Sequence, residues 1–279
     1  MGIMGVSKLV IIGAVITVAI AGILISINVE EKSPTENQLL TVADDGIKKA
    51  AIIDQLDVEF PNKGFHMQAE EYLMNAGYDQ IDLFLTDDIT VDFYRNLPSM
   101  DYDFIVARTH SLAIKTQDKQ SVWMFTGEKY TEDKYIQEQL EGKVSRGVPF
   151  LTGPNLDREE AAKKRLFIIG SDFVDKEMVG RFHGTTLVLG GCDTMSYPFM
   201  AKSLVDRGAS AIIGWYGLVS LYDNDIVILK VLEEILINGQ DPDDAVNHIM
   251  EELDGSMLYK HSILKQYSTG ATGANEFEI

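Results

Sequence analysis

Along residues 48–255, short runs of apolar and β-branched residues alternate with segments whose apolar positions recur at helical spacing. Residues 49–54 (KAAIID), 80–85 (QIDLFL), 103–108 (DFIVAR), 165–169 (RLFII), 185–189 (TTLVL) and 210–213 (SAII) are predicted as strands. Helices are predicted at 64–76, closed by Gly77, at 90–97, stopped by Pro98, and at 131–141. Further helices are predicted at 172–179, 197–207, 223–237 and 242–253, the last two closing the domain. Residues 121–125 (SVWMF) suit a hairpin arm or an edge strand. The strand runs are continuously apolar rather than alternating, as in strands covered on both faces. The expectation is therefore an α/β fold, a mostly parallel sheet with helices on both sides. Residues 267–279 are rich in glycine and polar side chains and are expected to be loosely held.

The first residues break this pattern. Residues 9–29 (LVIIGAVITVAIAGILISINV) carry no charge. At about 1.5 Å per residue they reach roughly 30 Å, the thickness of a bilayer's hydrocarbon core. The run exceeds the usual apolar stretch of a signal peptide, and no convincing A-x-A cleavage site follows it. Residues 1–30 are thus expected to form a single-pass transmembrane signal anchor, with a cleaved signal peptide as the rival. Lys8 precedes the span and Glu30 and Glu31 follow it, which places the large domain on the extracytoplasmic side of the membrane. Residues 31–47 form a polar tether, and residues 48–279 the folded domain.

Charge narrows the partners. The chain has 24 basic and 43 acidic residues, a formal net charge of −19, which argues against nucleic acid as a ligand. A single cysteine, Cys192, excludes an intrachain disulfide and a multi-thiolate zinc site. None of His66, His183, His248 and His261 has metal-ligand spacing, and there is no phosphate-binding glycine loop. No metal and no cofactor is expected.

In parallel sheets, binding residues gather beyond the carboxyl ends of the strands. His110 lies two residues past DFIVAR, and Cys192 lies three past TTLVL. A nucleophilic thiol needs a base or a positive field, and imidazole suits the first role. Gly190-Gly191 before Cys192 makes a turn of little bulk, and the helix expected after it would aim its N-terminal amides at the sulfur. The backbone amides of Cys192 and Ser111 are candidate oxyanion donors. A buried, inert Cys192 is the competing possibility. Trp215 and Tyr216 end a strand at the same rim, where they either line a substrate pocket or pack against neighbouring structure.

Two stretches carry a family resemblance. DFIVARTHS is a buried strand running into a histidine. The run from TTLVLGGCDT through GASAIIGWYGLVSLYDND to the helix ending in INGQ has a strand entering the cysteine, a helix, a Gly-Trp strand end and an Asp-bearing loop. Over roughly residues 48–255, and most strongly over 185–245, the chain resembles the caspase-like (clan CD) cysteine peptidases, particularly the CHAT and separase-like branch. The resemblance implies a caspase-like three-layer sandwich, with Cys192 as nucleophile, His110 as general base and no obligatory third member. It also implies that Asp223 or Asp225 in LYDND pairs with a basic residue before the scissile bond, although Asp223 also suits a helix cap. Two features depart from the family. Ser111 stands where glycine is usual, and 82 positions separate His110 from Cys192. Residues 112–164 are then an insertion, expected to be a solvated excursion with its own helix. The implied function is a membrane-anchored cysteine endopeptidase acting on a protein or peptide substrate. The alternative is a catalytically silent caspase-like domain that binds a peptide or protein partner.

Overall fold

Ten strands and eight α-helices follow one another in this computed structural model, which describes residues 46–116, 119–149, 158–253 and 261–268. The predicted membrane span at 9–29 lies outside the described residues. Among those described, no helix is long and apolar enough to cross a membrane. The chain divides into two units, residues 1–43 and 44–279, and every described residue belongs to the second.

In chain order the elements are β1 (Lys49–Asp54), α1 (Lys63–Asn75), β2 (Gln80–Leu85), α2 (Val91–Asn96), β3 (Phe104–Arg108), β4 (Ser111–Lys115) and β5 (Gln120–Lys129). There follow α3 (Ile136–Leu140), β6 (Val144–Gly147), α4 (Arg158–Lys163), β7 (Leu166–Gly170), α5 (Ser171–Lys176), β8 (Thr186–Gly190) and α6 (Pro198–Asp206). The last are β9 (Ala211–Tyr216), α7 (Leu221–Leu232), α8 (Pro242–Leu253) and β10 (Ile263–Ser268). Six strands form one sheet in the order β10-β9-β8-β3-β1-β2, parallel except for the antiparallel edge strand β10.

Alternation along each strand divides the core in two. Ala51, Ile53, Ile105, Ala107, Leu187, Leu189 and Ile212 face one side, packing with Phe173 of α5 and with Met200 and Leu204 of α6. Ala50, Ile52, Phe104, Val106, Val188, Ile213 and Trp215 face the other, against α1, α7 and α8. Helix α1 buries Phe65, Ala69 and Leu73, spaced by four residues, so one stripe meets the sheet. Its start is capped by the Asn62 side chain, which accepts from the Phe65 amide at 3.1 Å. Gly77, at φ +83°, supplies the left-handed turn beyond its end.

Three expectations change. The run 165–169 does not join the parallel sheet. It is the core of β7, which pairs antiparallel with β5 and β6 in a second sheet ordered β4-β5-β7-β6. An apolar run specifies burial on both faces but not which neighbour it pairs with. The 112–164 insertion therefore contributes three strands to a second sheet rather than forming only a solvated excursion. Val122, Met124, Val144, Phe167 and Ile169 of this sheet belong to the first core, and only α3 remains of the helix expected at 131–141. Finally, helices do not close the domain, because β10 adds an edge strand with Leu264 buried. Tyr267 and Ser268, expected to be loose, lie in that strand opposite Ile212 and Ala211.

Candidate active site

The two central strands carry their chemistry to the same place. β3 and β8 run parallel with Ala107 opposite Leu189 and Arg108 opposite Gly190. The Thr109 amide extends this pairing by donating to Gly190 O at 2.9 Å. His110 and Cys192 each follow the last paired residue of their strand by two positions. The Ser111 hydroxyl donates to the Cys192 carbonyl oxygen, so the corner after β3 is joined to the turn after β8. Gly191 permits this approach. A Cβ there would lie 2.4 Å from Thr109 O and 2.7 Å from Ser111 Oγ.

His110 is held from three directions. Its amide donates to Gln55 Oε1 at 2.9 Å, and its carbonyl accepts from the Phe125 amide at 3.0 Å. Its Nε2 lies 3.1 Å from Glu59 Oε2. Its ring meets Phe60 and Phe125 edge-on, with centroids 6.3 and 5.9 Å away. Burial lowers the imidazole pKa below its ordinary value. Glu59 pulls it back upward and the Arg108 guanidinium adds to the lowering. A neutral imidazole is the form that accepts a proton.

Cys192 is half-buried against the second core, its Sγ 3.5 Å from Val219 O. Burial pushes the thiol pKa up and the neighbouring Asp193 carboxylate adds to this, while backbone hydrogen bonding at Val219 and Cys192 acts the other way. The expected helix-end activation is missing. α6 begins only at Pro198, and a tight turn with Asp193 at φ 60° intervenes. That turn's amides are engaged by β9 and its exit, Asp193 N with Gly217 O at 2.9 Å and Met195 N with Trp215 O at 2.8 Å. Thiolate formation here therefore depends on a base.

The proposed substrate-recognition residues separate. Asp225 is buried, with Oδ1 2.7 Å from Arg108 Nε and Oδ2 2.8 Å from Asn62 Nδ2. Arg108 also donates to Asp54 at 3.2 and 3.3 Å and to Phe60 O at 2.8 Å. The basic partner expected from a substrate is thus supplied by the chain's own Arg108. Asp223 sits in the first turn of α7, where its amide donates to Ser220 Oγ at 3.0 Å and its Oδ2 accepts from that hydroxyl at 2.8 Å, a capping arrangement. Trp215 is fully buried, packed in the second core with its Nε1 donating to Asn224 Oδ1 at 3.0 Å. Tyr216 does line a cavity, of about 620 Å³, together with Asp193.

No protein-family model matches the chain, and no curated protein matches it.

Gln55 and Glu59 were not singled out from the sequence. Both follow the carboxyl end of β1, so the strand-end rule that selected His110 would have found them once β1 was known to neighbour β3. Ligand atoms of Asp54, Asp57 and His66 lie within 4.8 Å of one another, but Asp54 already faces Arg108 and His66, the latter at 2.7 Å. The positive charge at that carboxylate is already in place.

Proposed function

We propose that this chain is a cysteine endopeptidase of caspase-like fold, anchored to a membrane by residues 9–29, that cleaves peptide bonds through Cys192 and His110. One observation carries the proposal. Adjacent parallel strands, in register to Arg108 and Gly190, are tied together beyond their ends by the Ser111 hydroxyl on the Cys192 carbonyl oxygen, which supports a groove shared by His110 and Cys192. A mostly parallel six-stranded sheet flanked by helices, with the antiparallel strand at one edge, is compatible with the caspase-like assignment.

In the first step the Cys192 thiol passes its proton to His110 as sulfur attacks the scissile carbonyl. The oxyanion is met by backbone N–H groups. The Ser111 amide is a candidate, because Ser111 occupies a non-hydrogen-bonded position opposite Met124 and its N–H points away from β5. The imidazolium then protonates the leaving amine, and water hydrolyses the thioester and restores the thiol. Selection of a basic residue before the scissile bond would rest on Asp193, which lines the cavity beside Tyr216, since Asp225 pairs with Arg108 and Asp223 caps α7.

The test is covalent labelling of the full-length chain with a peptide vinyl sulfone carrying arginine or lysine before the warhead. Labelling at Cys192 that His110→Ala abolishes, in protein that remains folded, is the expected result. Labelling indifferent to His110, or none with any such peptide, overturns the proposal. One observation favours a second possibility, a silent peptide-binding domain: burial holds the resting thiol in its protonated form. That domain would bind the same peptides without turnover.

A further inference from the structure

β4 is the terminal strand of the second sheet, and among the described residues nothing pairs with its outer edge. Its hydrogen-bond phase is set by the bonds Phe125 N to His110 O and Thr116 N to Lys119 O, which bracket the strand. Even-numbered residues of β4 therefore bond to β5. Ser111, Ala113 and Lys115, opposite Met124, Val122 and Gln120, occupy the alternate positions and turn their N–H and C=O groups outward. Ala113 and Lys115 also line the cavity of about 620 Å³, whose other walls include Asp193, Tyr197, Pro198 and Tyr216. The cavity thus reaches from the residue after Cys192 to the strand that follows His110, and also touches Gln120 of β5 opposite Lys115.

We infer that the outer edge of β4 is a docking strand for an extended polypeptide, the segment of substrate flanking the bond presented to Cys192. The occupant follows from the spacing. Outward N–H and C=O groups recur every second residue, about 6.6–6.8 Å apart, and the alternate residues of an extended peptide match them in phase. Side chains of the added strand would fall alternately into the cavity, against Tyr197 and Tyr216, and into solvent. A lipid or nucleic-acid ligand offers no such ladder. The identity of the occupant rests on the peptidase proposal above, whereas the pairing itself does not need a competent nucleophile.

The test separates the two. Full-length Cys192→Ala protein is screened by fluorescence anisotropy against a positional-scanning library of fluorescein-labelled octapeptides. The best binder is then remade with one N-methyl amide at a time. Binding should weaken about tenfold at every second amide and stay unchanged at those between, as expected for loss of one main-chain hydrogen bond at a time. Ala113→Pro removes an outward N–H without touching the β5 ladder, a substitution that a free edge tolerates. It should weaken binding about tenfold or more, while the melting temperature and the iodoacetamide labelling rate of Cys192 in the otherwise wild-type chain remain unchanged. Period-two binding without turnover by the wild-type chain would retain the docking strand and discard the peptidase. Turnover in which N-methylation shows no alternation, or in which Ala113→Pro has no effect, would discard the docking strand alone. A library without any binder overturns it as well.

Discussion

The imidazole of His110 and the carboxylate of Glu59 lie 3.1 Å apart, Nε2 to Oε2, across the loop that joins β1 to α1. In the proposed mechanism, a proton held on Nε2 toward Glu59 would make Nδ1 the accepting nitrogen and would place a negative charge beside the imidazolium formed from the thiol's proton. On that mechanism Glu59 would act as a positioning residue for His110. Burial lowers the His110 pKa and Glu59 opposes that lowering. Glu59→Gln removes the opposing charge, so His110 should deprotonate at a still lower pH. The acid limb of the pH profile for peptide vinyl sulfone labelling should move down, and the plateau should fall about tenfold as the imidazolium loses its partner. An acid limb that stays in place or moves up would remove Glu59 from this role.

The thiol itself predicts a contrast between two reagents. Burial raises the Cys192 pKa, so the resting chain holds the protonated, poorly nucleophilic form at neutral pH. Iodoacetamide, which makes no contact with the groove, should label it more slowly than free cysteine, at a rate that climbs with pH beyond the ordinary thiol range. A peptide electrophile, which brings the reacting carbon between Cys192 and His110, should react faster at pH 7. Rapid iodoacetamide labelling below pH 7 would contradict the protonated resting state.

Asp225 and Asp223, two residues apart on α7, should behave differently. Asp225→Ala removes one carboxylate from a buried group in which Arg108 and Asn62 are bonded to it, leaving Arg108 with the Asp54 carboxylate and Phe60 O. The expected loss of stability is about 3 kcal/mol. Asp223→Ala removes the side-chain half of a helix cap at a half-buried position, and about 0.5–1 kcal/mol is expected. Urea unfolding of the two variants measures the difference. Equal costs would mean that the Arg108 pairing contributes little.

Gly191→Ala tests the junction between the two strand ends. The new methyl would sit 2.4 Å from Thr109 O, a backbone atom that cannot swing aside as a flexible side chain can. The turn carrying Cys192 must then move away from the corner carrying His110. About 1–3 kcal/mol of stability should be lost, as for other overpacked positions, and vinyl sulfone labelling should fall by much more than Gly184→Ala produces, where nothing lies within 4 Å of the added Cβ and the only cost is the left-handed φ of +82°. Equal labelling rates for the two variants would show that the close approach does not govern the site.

Local sequence determined the five parallel strands and most helices, because burial on both faces demands continuous apolar runs and one-sided burial demands a helical stripe. It also determined that His110 and Cys192 belong at strand ends, since each follows an apolar run by two or three residues. Tertiary structure decided what no local pattern encodes. It assigned RLFII to a second sheet, paired β10 at the edge of the first, and turned Asp225 toward Arg108, 117 positions away in the chain. It also brought Glu59 to His110 and, among the described residues, left the outer edge of β4 without a paired strand. Pairing partners and ion pairs depend on which segments become neighbours after collapse, and an apolar run or a lone carboxylate carries the same local pattern whichever neighbour it meets.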